Sequence, residues 1–139
     1  MAIIQSTKTS SAALLAMAGV GDGQTSKTVS STYAFTAAPA ANDIIQSPFI
    51  QAGSVIQDVT VVLSGFGTGS TVEVGYGLDT DYFITSTSGV AGGVLRMSAA
   101  TARPLVLTEN DTVDVKINGA GATAAGTVDI TVTFVPRNN

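Results

Sequence analysis

The residue types that most often carry out acid–base or nucleophilic chemistry are scarce in this chain. Its 139 residues include no histidine and no cysteine, which excludes a Ser-His-Asp triad, a Cys-His pair and the common zinc sites. Two carboxylates could still act as general acid and base, because ten Asp and Glu residues remain. Most of the Asp residues fall in expected turns (Asp22, Asp79, Asp81, Asp111) or on polar strand faces (Asp58, Asp114, Asp129). A solvated structural role suits such positions, so we expect no enzyme and no catalytic residue, with a small carboxylate hydrolase as the alternative that counting leaves open.

A cation site is the second chemical candidate. Asp79, Thr80 and Asp81 form an expected turn whose oxygens could chelate calcium. Asp111 and Asp114 could contribute only if the fold brings the two turns together. A carboxylate that caps its own turn explains the same residues, so we expect no metal and no other cofactor.

Phosphate and nucleic-acid binding are not supported by the charges or by the glycines. The net charge is −4, with only six Lys and Arg residues, which leaves no basic surface for a phosphate backbone. Glycine-rich stretches occur at residues 19–23, 65–69 and 119–126, but none contains the lysine of a phosphate loop. We therefore interpret these stretches as turns.

The surface has unusually little charge. Charged residues make up 12% of the chain, against roughly 25% in an ordinary soluble domain. Thr and Ser must coat much of the exterior, so we expect part of it to be covered by a partner or by sister copies. Residues 12–20 form an apolar stretch that is too short to span a bilayer, and we expect no membrane partner.

From about residue 28 the sequence has the two-residue period of β-strands. Within residues 54–64, Val55, Val59, Val61 and Leu63 are expected on one core face, with Gln57 as the only polar intrusion. After the expected turn at 79–81, a short strand is predicted at 82–85.

The strongest alternation lies near the end of the chain. Valine and isoleucine alternate with polar residues over 113–117 and over 128–134, and a Gly/Ala loop joins the two segments. This pattern predicts an antiparallel hairpin.

Eight or nine short strands without a convincing helix predict an antiparallel β-sandwich of jelly-roll type, spanning residues 28–139. Residues 1–27 lack a regular apolar period and are interpreted as an extended N-terminal arm that becomes ordered against a neighbour. Ile3, Ile4, Leu14 and Leu15 are its candidate anchors, each able to contribute about 1.5–3 kcal/mol on burial. Phe49 and Phe66 lie next to turns, and for both we expect either contact with a partner or burial in the rim of the sandwich.

Two stretches, residues 54–59 and 72–83, resemble small virion proteins of tailed bacteriophages. In the second, a valine-x-valine-glycine run precedes an aspartate-x-aspartate-aromatic run, a pattern of jelly-roll proteins that decorate the phage head. Residues 118–135 are similar to the last two strands of those proteins, and the resemblance covers roughly the C-terminal two thirds.

This resemblance implies a decoration (cement) protein of the virion. Such a protein is made in the host cytoplasm and binds the outer capsid surface, where it bridges capsomers. Its partners would be the major capsid protein and sister copies in a homotrimer. The alternative is a phage tail-fibre or receptor-binding head domain, which needs an exposed recognition patch such as Phe66 with residues 89–93.

Overall fold

The computed structural model describes residues 25–77, 79–97, 104–118 and 122–136, together with the backbone of residues 3–5. These residues form ten β-strands and no helix long and apolar enough to cross a membrane. The strands are β1 (Ile3–Gln5), β2 (Lys27–Ala34), β3 (Asp43–Gln46), β4 (Val55–Leu63), β5 (Thr71–Tyr76), β6 (Asp79–Ser88), β7 (Gly93–Arg96), β8 (Leu105–Val106), β9 (Val113–Asn118) and β10 (Thr127–Val135).

The strands are divided between two sheets. Sheet one has the order β1-β3-β9-β5-β6, and sheet two has the order β2-β10-β4-β7, with β8 also paired to β4. Every pairing is antiparallel except that of β1 with β3. Without the short β1 and β8, eight strands remain, and each sheet inserts a late strand between two early ones. This is the topology of two Greek keys, and it confirms the predicted antiparallel β-sandwich of jelly-roll type.

Strand β10 shows how the alternating pattern produces the core. Val128, Ile130, Val132 and Phe134 are all fully buried, while the residues between them point away from the other sheet. Because β10 pairs with β2 on one side and with β4 on the other, its apolar face lies in the middle of sheet two.

The expected core face of β4 is wrong at its beginning. The ladder between β4 and β10 pairs Thr133 with Asp58 but Phe134 with Ile56, so Gln57 is the extra residue of a β-bulge and is exposed. A bulge reverses which residues face the core. Ile56 is therefore buried in place of Val55, and Gln57 does not interrupt the core.

The predicted C-terminal hairpin is also wrong. β9 pairs with β3 and β5 in sheet one, whereas β10 pairs with β2 and β4 in sheet two. The chain between them crosses from one sheet to the other. Both strands alternate because each has one face on the shared core, and this alternation does not depend on which strand is the hydrogen-bonded neighbour.

Residues 79–81 belong to a strand rather than a turn, which corrects a further expectation. β6 begins at Asp79, directly opposite Tyr76 of β5. The next registered pair is Val74 with Ile84, so Gly75 faces four residues of β6. The β6 backbone lies so close there that a Cβ on Gly75 would be 1.9 Å from the Asp79 carbonyl oxygen. Glycine at 75 is what permits this approach.

The division into an arm (1–27) and a sandwich (28–139) stays a prediction, although β2 does begin at Lys27. Leu14 and Leu15 lie outside the described residues.

Candidate interaction surfaces

One end of the sandwich is closed around Phe66. The loops at residues 64–70, 89–92 and 122–126 meet there: the Phe66 N–H donates to the Gly89 carbonyl (2.9 Å), and the Thr123 N–H donates to the Phe66 carbonyl (2.8 Å). The ring is 0% exposed and packs edge-on against Phe35, with centroids 5.7 Å apart.

Phe66 is therefore a core residue of the isolated chain. Of the two expectations for this residue, burial in the rim of the sandwich is the one that the structure shows. The fold does bring Phe66 together with residues 89–93, as the receptor-binding alternative requires. The Phe66 ring itself is not exposed there, because it faces inward. Val90, 41% exposed, is a large apolar side chain that this end presents to solvent.

The opposite end carries the carboxylates that were considered for calcium. An open depression of about 600 Å³ is lined by Tyr76, Gly77, Asp79, Leu107, Thr108, Glu109 and Asp111. Asp79 and Asp111 thus come to one place, as that hypothesis required. Among the described residues, however, no group of three or more acidic side chains could hold a metal ion. A hydrogen bond with Asp79 raises the pKa of Asp81, as expected for two neighbouring carboxyl groups.

Phe49 belongs to the same end as this depression. Ile50, the next residue, exchanges two backbone hydrogen bonds with Asp111 (2.8 and 3.1 Å). Phe49 is 38% exposed, so it is accessible to a partner.

The outer face of sheet one holds a self-contained polar network. Glu73 accepts from the Thr80 hydroxyl (2.6 Å) and forms an ion pair with Lys116 (3.1 Å). Burial raises the pKa of Glu73, but the hydrogen bonds from Thr80, Lys116 and Asn118, together with the charge of Lys116, outweigh it, so the pKa is lowered overall. Glu73 is therefore a structural carboxylate whose partners hold it ionised.

Asp114 behaves differently from Glu73 on that face. Burial raises its pKa to about 6, against the hydrogen bond from Thr112 (2.6 Å) and a longer one from Gln46 (3.4 Å). The nearby Asp111 carboxylate raises it further. Asp114 is therefore only partly exposed, rather than fully solvated as expected from the sequence.

The outer face of sheet two is rich in hydroxyl groups. Side chains of neighbouring strands hydrogen-bond across this face. Thr28 and Thr133 share a hydrogen bond (3.2 Å), and the Thr32 hydroxyl donates to Asp129, in both cases between β2 and β10. One ion pair joins Arg96 to Asp58 (2.5 Å), and Arg96 lies on the opposite side of β7 from Leu95.

Valines flank this hydroxyl-rich surface at two corners. Val62 pairs in register with Val94, which is 64% exposed. Val55 pairs with Val106, which is 56% exposed. Val62, Val94 and Val106 were not singled out from the sequence, whereas Val55 was expected on the core face. Val62 alternates with the buried Val61 and Leu63, so it lies on the outer face of its strand. Exposed apolar groups on a face with so little charge indicate a surface suited to a partner.

The N-terminal residues Ile3 and Ile4 belong to β1, which extends the edge of sheet one beyond β3. Their role as anchors on a partner stays a prediction, as does that of Phe49.

Comparisons with known proteins match the fold and nothing narrower. No family model and no curated protein matches the chain. Three solved capsid structures do contain a similar chain. A chain of the cyanophage Pam1 capsid asymmetric unit has a TM-score of 0.71 and 20% identity, covering 84% of this chain and 89% of that one.

A chain from the capsid of Ralstonia phage GP4 has a TM-score of 0.69 and 22% identity, covering 99% of this chain and 100% of that one. A chain of the acidic stable capsid structure of Helicobacter pylori bacteriophage KHP30 has a TM-score of 0.61 and 15% identity, with coverages of 83% and 91%. The chain therefore shares its jelly-roll fold with chains found in three phage capsid structures.

Proposed function

We propose that this chain is a structural, non-enzymatic protein of a phage virion that binds the outer surface of the head and stabilises the shell by bridging capsomers. The likeness to the GP4 capsid chain is the observation that carries the proposal, because it extends over 99% of this chain and all of the other.

The chemistry of the described residues supports a structural role. The chain has no histidine or cysteine, and the partly buried carboxylates Glu73 and Asp114 interact with neighbouring side chains of their own sheet.

We assign the contact with the major capsid protein to the outer face of sheet two, with Ile3, Ile4, Leu14, Leu15 and Phe49 as further anchors. Val62 and Val94 form an apolar corner of that face, and covering them would remove apolar surface from water. Sister copies in a homotrimer are part of the same proposal, and light scattering of the purified protein measures that stoichiometry.

The test is co-sedimentation of the purified protein with phage heads that lack it, with copy number measured by gel densitometry. Saturation at hundreds of copies per head is the expected result. Saturation at a few copies would favour a tail-fibre or receptor-binding domain, and no binding would refute the head-surface role.

A matched pair of variants tests the assigned face. Val94→Lys places a charge on the outer face of sheet two, whereas Thr68→Lys places one at an exposed position in the loop 64–70, at the end of the sandwich. Because desolvating a lysine is costly, Val94→Lys should weaken head binding while Thr68→Lys leaves it unchanged. Equal binding by both variants would show that another surface makes the contact.

Deleting residues 2–20 tests the arm separately. The sandwich should keep its melting temperature within a few degrees, since its core lies in the later strands, and the binding to heads should weaken. Normal binding by the folded truncated protein would show that the arm does not anchor it.

A further inference from the structure

The pairing of β1 with β3 differs from every other pairing in the fold. It is parallel, and it comprises three registered pairs: Ile3 with Ile44, Ile4 with Ile45, and Gln5 with Gln46. The other edge of β3 is bonded to β9. β1 therefore occupies the outer edge of sheet one through a short ladder.

The sequence between β1 and the rest of the sandwich is long relative to that ladder. Residues 6–26 separate β1 from β2, and about 20 residues can span roughly 70 Å when extended. A domain of this size has a radius of gyration of about 13 Å, so the β3 edge of an adjacent copy is within reach of the same segment.

A ladder of backbone hydrogen bonds has the same geometry whether β1 comes from its own chain or from a neighbour. The balance between the two forms is then decided by the local concentration of β3 edges. By its length alone, a tether of about 20 residues presents its own edge at an effective concentration in the millimolar range. Copies held side by side present their edges at a comparable concentration.

We propose that β1 is an exchangeable strand: at high local concentration, residues 3–5 of one copy pair with β3 of a second copy and link the two chains. The occupant of the β3 edge is then a second copy of this chain. The exchange does not depend on the capsid role, because it needs only this chain at high concentration.

Single cysteines can detect the exchange, because the chain has none of its own. Cα atoms of paired residues on neighbouring strands lie about 4.8 Å apart, within the range that a disulfide can bridge. One full-length protein carries Ile3→Cys and a second carries Ile44→Cys, with different affinity tags. After mixing and mild oxidation, a disulfide between the two tags joins β1 of one copy to β3 of another.

The expected result is a yield of mixed disulfide above that of random dimer formation. This yield should rise steeply between about 10 μM and about 1 mM protein. The control pairs Ile3→Cys with Ser30→Cys, an exposed position on β2 in the other sheet, and should give only random dimers.

The double variant Ile3→Cys/Ile44→Cys shows whether the pairing forms within one chain. If it forms only the intramolecular disulfide, and the mixed dimer never exceeds the Ser30→Cys control, the exchange does not occur. If neither disulfide forms, the β1–β3 ladder itself is absent, which also overturns the proposal. The pair Gln5→Cys and Gln46→Cys repeats the experiment one register position away from the half-buried Ile44.

Discussion

Replacing Asp114 by Asn should stabilise the protein near neutral pH. The side chain lies on β9, where Thr112 donates to it and Gln46 covers it from β3. An amide keeps the shape and the acceptor oxygen of the carboxylate and removes its charge. Because burial raises the pKa of Asp114, the charged form is the one that the fold disfavours.

The size of the effect follows from the difference between the ordinary pKa of 3.8 and the folded value of about 6. At about 1.36 kcal/mol for each pKa unit, ionisation of this carboxyl lowers the free energy of unfolding by about 3 kcal/mol. The folded state binds the proton more tightly, so this stability is present below pH 3.8 and is lost as the pH rises through 6. The two new amide N–H donors offset part of the gain at every pH, which leaves about 1–3 kcal/mol at pH 7.5 and makes the variant no more stable than the wild type at pH 3.5.

Urea unfolding of the wild type and of Asp114→Asn at pH 3.5, 5, 6 and 7.5 measures this difference. Asp129→Asn is the matched control: it removes the same charge from the outer face of sheet two, where Thr32 is the partner. The titration of Asp81 and Glu73 is common to both proteins and largely cancels in the difference. If Asp114→Asn is no more stable than Asp129→Asn at pH 7.5, or if its advantage does not grow between pH 3.5 and 7.5, the carboxylate is not held at a desolvation cost.

Two substitutions test the packing that the fold depends on. Val132 is fully buried on β10 between two paired strands, so Val132→Asp should leave the domain unfolded at room temperature by circular dichroism; a normal melting temperature would mean that the strand faces are reversed. Gly75→Ala would place a Cβ 1.9 Å from the Asp79 carbonyl oxygen and should cost about 1–3 kcal/mol or more in thermal unfolding, whereas wild-type stability would show that β6 does not cross so closely over β5.

Strand faces could be predicted from the sequence because alternation reflects burial against a shared core. The parity of Val59, Val61 and Leu63 on β4 holds in the structure, and so does that of the β10 valines. The identity of the neighbouring strand was not predictable in this way. β9 and β10 have matching patterns and are consecutive, yet they belong to different sheets, because a jelly roll gives every strand the same one-sided burial.

The candidate functional residues divide along the same line. From the sequence, Phe66 could equally be buried in the rim of the sandwich or contact a partner. It is buried because three loops meet around it in the folded protein. In the sequence, Asp114 alternates with buried residues and therefore looks exposed. Its contact with Gln46, which is distant in sequence, exists only in the folded protein. The exposed valines lie side by side only because β4 pairs with β7 and β8 in the folded protein.

The sequence by itself therefore determined the class of the fold, the residue parity of its strands and the absence of histidine and cysteine chemistry. These properties depend on residue type and on a local period of two. The tertiary structure decided the strand order, the bulge at Gln57, the elevated pKa of Asp114 and the edge position of β1. Each of these arises from contacts between segments distant in the chain, and the two-residue period of a strand carries no information about which segment lies beside it.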